Sequence, residues 1–191
     1  MKKITHFLIF TLLLIMASSA FAGSKSRRGT AGAQELMIPM GSRGIAMSGA
    51  YVAGLSGIEA ASWNIAGLAN MDKTGEALFS NNNWIADIGL TYGAVAAKFG
   101  NSVYGISLKS VNFGDIAVTT TDEPDGTGAM YTPTYITMGF LYARKVTDRI
   151  LFGSSMKLVS ERIMRESAFG IVLDAGVQYR TGTGLQLGAS I

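Results

Sequence analysis

From Gly75 onward the chain alternates between apolar residues and small or polar ones, with a period of two that holds almost to Ile191. Successive side chains of a strand point to opposite faces, so this period predicts strands with two chemically different faces. The segment "FGIVLDAGVQY" (169–179) separates cleanly by parity. Phe169, Ile171, Leu173, Ala175, Val177 and Tyr179 fall on one side, and Gly170, Val172, Asp174, Gly176 and Gln178 on the other. Residues 86–96 set Ile88, Leu90, Tyr92, Ala94 and Ala96 against Asp87, Gly89, Thr91 and Gly93. Residues 102–109, 134–145, 150–161 and 185–191 repeat the pattern, and a weaker strand near 76–82 precedes them. The expectation is about seven strands.

The connections distinguish the possible β architectures. "FGNS" (99–102), "VTDR" (146–149) and "RTGTG" (180–184) are tight, whereas 114–133 and 160–167 are longer and polar; 82–85 is short but falls in the longer series. Short turns alternating with longer loops, between strands of about 10 residues, are the pattern of an outer-membrane barrel. A secreted β-sandwich also alternates, but its wet face carries many charges. Here that face is mostly Gly, Ser and Thr, and only 15% of all residues are charged. Aromatics recur near the ends of the apolar faces, as Phe169 and Tyr179 do. The predicted fold is therefore all-β, a transmembrane antiparallel barrel with a lipid-facing skin and a polar lumen. Asp87, Lys109, Lys157 and Asp174 are the predicted lumenal charges, because a charge at mid-depth against lipid costs about 2–4 kcal/mol. Hairpin arithmetic through 160–167 brings Lys157 close to Asp174 and predicts an ion pair.

The first 22 residues read as a secretion signal. Lys2 and Lys3 precede a short apolar run, Phe7–Met16, and Ala20-Phe21-Ala22 is a small-residue cleavage site. Taking Lys2 and Lys3 from the 16 basic residues leaves 14 against 13 acidic ones, so the mature chain has a net charge of +1. Nucleic acid is not an implied partner. The signal also contains His6, the only histidine, and the chain has no cysteine. Serine–histidine or cysteine–histidine catalysis and histidine or thiolate metal sites are thereby excluded from residues 23–191. No enzyme and no cofactor is expected. Lys25, Arg27 and Arg28 read as a solvated basic terminus.

Residues 23–74 do not alternate. "PMGSRGIAMSGAYVAGLSG" is rich in small residues, and "SGIE" (56–59) has the spacing of a capping box. Short helices are predicted at 43–53 and 57–63, forming a plug or hatch ahead of barrel residues 75–191. Gly41, Gly44 and Gly49 lack the spacing and the preceding strand of a dinucleotide-binding loop.

"GSRGIAMSGAYVA" followed by "ASWNIAGLANM" resembles the N-terminal signature of the PorV/PorQ family, relatives of FadL-type outer-membrane barrels. Arg43, Gly49, Trp63, Asn64, Ala66 and Gly67 match the family's plug motif, and Ile65 stands where the family has proline. "YARKVTDRILFGSSMKLVSERI" and "DAGVQYRTGTGLQLGAS" are similar to later strands and loops, so the resemblance covers nearly all of 36–191. It implies a FadL-like barrel of about fourteen strands in a bacterial outer membrane, of which this chain is read as the N-terminal part. It also implies a role in type IX-like protein secretion, or in transfer of hydrophobic molecules such as long-chain fatty acids. The expected partners are outer-membrane lipid and secreted cargo or apolar small molecules. A docking barrel that transports nothing is the alternative. In the polar loop "TTTDEPDGTG", Asp122, Glu123 and Asp125 are a weak calcium candidate, the plainer reading being a solvated loop.

Overall fold

The alternating segments fold as strands of a single curled antiparallel sheet. The computed structural model describes residues 32–38 and 40–191; the expected signal peptide and the basic cluster at 25–28 lie outside them. In chain order the strands are β1 (Gly75–Asn83), β2 (Gly89–Phe99), β3 (Ser102–Asn112), β4 (Ile116–Ala117), β5 (Met130–Tyr131), β6 (Thr134–Lys145), β7 (Ile150–Ile163), β8 (Glu166–Arg180) and β9 (Gln186–Ser190). Seven of them form a half-barrel in the order β1-β2-β3-β6-β7-β8-β9, each antiparallel to the next. The small β4–β5 ribbon sits inside the long connection between β3 and β6.

Ahead of the sheet, the N-terminal segment forms short turns. They are a 3₁₀ turn at Gln34–Met37, helix α1 (Ser42–Ala46), and 3₁₀ helices at Ile58–Ser62 and Ile65–Asn70. The predicted helix over 43–53 therefore ends at Ala46, where a run of turns takes over. Its Gly and Ser positions explain the early stop. Ser48 and Gly49 both take positive φ, which a continuing helix cannot accommodate. The helix expected over 57–63 is a tighter 3₁₀ element with the same placement.

The hydrophobic core lies between this segment and the concave side of the sheet. Met40, Leu68 and Met71 from the segment pack with Val103, Val111 and Leu141 from the wall, all nearly inaccessible. The convex side carries Ile106, Leu108, Phe140, Met156, Ile171 and Leu173, all exposed. On β3, β6, β7, β8 and β9 the parity of the sequence matches these two sides.

Strand β2 departs from the expectation. Leu90, Tyr92, Ala94 and Ala96 turn inward onto the core, while Val95 and Phe99 point outward. The reason is that both faces of β2 carry apolar side chains, one set packed on the plug and the other, with Val95 and Phe99, exposed. Parity groups its residues correctly but does not reveal which group faces which medium. Asp87 departs as well. It lies outside the strands, exposed in a 3₁₀ turn at Ile85–Asp87 with φ of 60°, and not on a concave wall position. The polar stretch 160–167 is not a loop either. β7 and β8 stay paired out to Ile163 and Glu166, joined through Met164 and Arg165. They are the longest strands, 14 and 15 residues.

Candidate functional site

The polar residues of the wall converge on the backbone of the N-terminal segment. A segment of short turns has many N–H and C=O groups without partners in regular structure, and buried ones must be paired elsewhere. The wall supplies those partners from four strands. Glu76 on β1 accepts from the Ile58 amide at 2.8 Å. Lys98 on β2 donates to the Met71 carbonyl at 2.9 Å. Lys109 on β3 donates to the carbonyls of Glu35 and Ile38 at 2.7 and 2.8 Å. Gln178 on β8 donates to those of Val52 and Leu55, each at 3.0 Å.

Asn64 works in the opposite direction. It is 0% exposed, and its carboxamide N–H groups reach Val52, Val177 and Ala189 carbonyl oxygens at 3.1–3.4 Å, while its oxygen accepts from the Ala66 amide. Glycines on the wall make this approach possible. A Cβ on Gly176 would stand 2.1 Å from the Asn64 Oδ1, and one on Gly153 would stand 2.4 Å from the Ala66 amide nitrogen. Gly153 and Gly176 are register partners on β7 and β8. Together they leave a bare patch of sheet on which the turn 64–67 sits.

The other motif residues organise the segment internally. The indole of Trp63 donates to the Met40 carbonyl at 2.6 Å and packs beneath Gly44 and Gly49. Arg43 meets Glu59 twice, through its backbone amide at 2.9 Å and through its guanidinium at 3.8 Å. Gly67 lies so close to the Leu55 carbonyl that a Cβ would stand 2.2 Å from it. Ile65, at the position of the family proline, opens the last 3₁₀ helix directly after the Asn64 cap and is buried.

Lys157 and Asp174 form an ion pair on the concave side, Nζ to Oδ2 at 2.7 Å, and the Ser155 hydroxyl donates to the same carboxylate oxygen. Beside them opens a cleft of about 470 Å³ lined by Trp63, Ser62, Leu36 and Ser190. Glu35 is buried with one carboxylate oxygen unpartnered, and burial pushes its pKa above the ordinary glutamate value.

Asp122, Glu123 and Asp125 lie exposed in the long connection, and among the described residues no cluster of three or more acidic, histidine or cysteine side chains could hold a metal ion. The calcium candidate is therefore not assembled. Glu76, Lys98 and Gln178, by contrast, are part of the seam and were not singled out by their sequence. Their parity was the available signal, since Gln178 shares a face with Asp174. Neither protein-family models nor curated proteins give a match to this chain.

Proposed function

We propose that this chain belongs to an outer-membrane β-barrel of the PorV/PorQ type, of FadL-like architecture, with residues 35–71 as its plug. The observation that carries this reading is the contrast between the two sides of the sheet. On the convex side each of β1, β2, β3, β6, β7 and β8 exposes large apolar side chains, among them Phe79, Val95, Ile106, Phe140, Met156 and Leu173. Such a band far exceeds the apolar patches that soluble monomers expose, and a bilayer is the medium that matches it. No helix among the described residues is long and apolar enough to cross a membrane, so strands would make the crossing. The half-barrel leaves β1 and β9 with one neighbour each. In lipid those edges require further strands to complete the ring.

The role that fits this architecture is secretion of protein cargo, or passage of hydrophobic molecules, past a plug within the lumen. Transfer would need the plug to shift along the seam described above. A second reading is a docking barrel with a static plug. The buried carboxamide bonds of Asn64 and Gln178 favour it, because they tie the middle of the plug to the wall. Membrane fractionation of the full-length protein, followed by cargo copurification and fatty-acid uptake in a deletion strain, separates these readings. Sedimentation with outer membranes is expected. Recovery as a monomer from detergent-free buffer would rule out the membrane assignment. Loss of secretion or uptake on deletion identifies transport, and neither loss leaves docking.

A further inference from the structure

A second and smaller cavity, about 40 Å³, lies between the plug and strands β2, β3, β6 and β7. That volume holds no more than a few water-sized particles. Its apolar walls come from the plug, chiefly Leu36, Ile38 and Met40, and its polar lining consists of Ser62, Tyr92, Ser107, Lys109, Thr137 and Lys157. Strand register explains the gathering. Lys109 is opposite Thr137, Ser107 is opposite Gly139, and Gly139 is opposite Lys157. Gly139 contributes no side chain, and the Ser107 Oγ fills the place its Cβ would take. Two lysines, one on each side of β6, thus border the same hollow.

The lining is rich in donors and has no carboxylate. Lys109 is 8% exposed and spends two of its three N–H groups on neutral carbonyl oxygens. Among the described residues it makes no salt bridge. The Tyr92 hydroxyl is buried and lies beside Ser107. Thr137 is 5% exposed. Asp174 balances Lys157, and burial disfavours the ionised form of Glu35, so Lys109 is the charge at the hollow without an ion-pair partner. A buried ammonium with only neutral partners is unfavourable, and a counter-charge in reach of its remaining N–H relieves it.

We propose that this cavity binds a small monovalent anion of the halide class, held by Lys109 and by the hydroxyls of Tyr92, Ser107 and Thr137. The site is built by the contact of plug and wall, so it stands whether or not the convex face meets a bilayer. An anion there ties the plug to three strands at once and couples plug seating to halide concentration.

Bromide provides the probe. Crystals of the full-length protein grown or soaked in sodium bromide should give an anomalous peak within hydrogen-bonding distance of the Lys109 Nζ. The thermal midpoint should be higher in chloride or bromide than in gluconate at equal ionic strength. That difference should vanish in Lys109→Met, and bromide binding should weaken about tenfold in Thr137→Val, a variant that keeps the charge and shape of the site. A water refined at the position without anomalous signal overturns the proposal, as do equal midpoints in bromide and gluconate or an unchanged response in Thr137→Val.

Discussion

Gln178 of β8 reaches across the concave side of the sheet to the Leu55 carbonyl, joining two residues 123 positions apart in the chain. Gln178 is 1% exposed, so water cannot substitute for the bond. Replacing Gln178 with leucine leaves the Leu55 carbonyl unpaired, at about 1–3 kcal/mol, while the Val52 carbonyl keeps its bond from Asn64. Asn64→Ala removes the partner of the Ala66 amide as well and should cost at least as much. Both variants should expose residues 50–67 to limited proteolysis while the strands remain resistant. Unchanged protection would mean that the seam does not hold the plug.

The Lys157–Asp174 pair is about three-quarters buried on each side, so removing one charge should harm more than removing both. Asp174→Asn and Lys157→Met singly leave an uncompensated charge beside the cleft. The double substitution should recover part of the loss, with a coupling of about 1–3 kcal/mol in a thermal or denaturant double-mutant cycle. Additive losses would show that the two charges do not interact.

Close approach gives a prediction with an internal control. Gly67→Ala drives a methyl group into the Leu55 carbonyl, and Gly176→Ala drives one into Asn64. Each should lower stability by about 1–3 kcal/mol through overpacking. Gly93 and Gly170 have open space where a Cβ would go, so alanine at either should change stability by less than about 0.5 kcal/mol. Equal effects at all four sites would contradict the packing described for the plug.

The buried carboxyl of Glu35 makes plug seating depend on pH. Its pKa is raised in the folded protein, chiefly by burial, so the protonated form is the better fit. The stability it contributes is present in full below the unfolded glutamate pKa and is lost as pH rises through the elevated folded value. Glu35→Gln fixes the neutral state. Its thermal midpoint should match the wild type at acid pH and exceed it near neutrality. A variant whose advantage does not grow with pH would assign the burial no consequence.

Arginine on the convex face tests the membrane reading. At Ile106 or Phe140, both exposed near strand centres, a bilayer imposes about 2–4 kcal/mol on the charge. In an aqueous setting the same substitutions fall within about 0.5 kcal/mol. Folding yield into lipid vesicles, compared between Ile106→Arg and Ile106→Leu, measures the difference.

The strands were legible because a period of two reports strand geometry directly, and the ion pair because hairpin counting fixes which residues lie diagonal to one another. β6 was read to its ends, Thr134 and Lys145, since alternation and flanking turns agree there. On β2 parity leaves the facing undecided, because the plug takes apolar side chains and the exposed face carries Val95 and Phe99 as well. The β7–β8 turn was read too long, because Glu161, Arg162 and Arg165 look like loop residues while the backbone beneath them stays paired. The plug seam was largely hidden. Most of its bonds end on main-chain atoms, which carry no sequence signature; Asn64 and Trp63 stand out by motif and Lys109 by parity.

Asn64 reaches β8 and β9 through the Val177 and Ala189 carbonyls, 113 and 125 residues downstream. Contacts that distant form late, after the entropy of closing a long loop has been met. The N-terminal segment, first in the chain, would consequently be among the last parts to find its seat. Until β9 pairs with β8, the Asn64 carboxamide lacks its Ala189 partner, so the turn at 64–67 is clasped by the same step that aligns that hairpin.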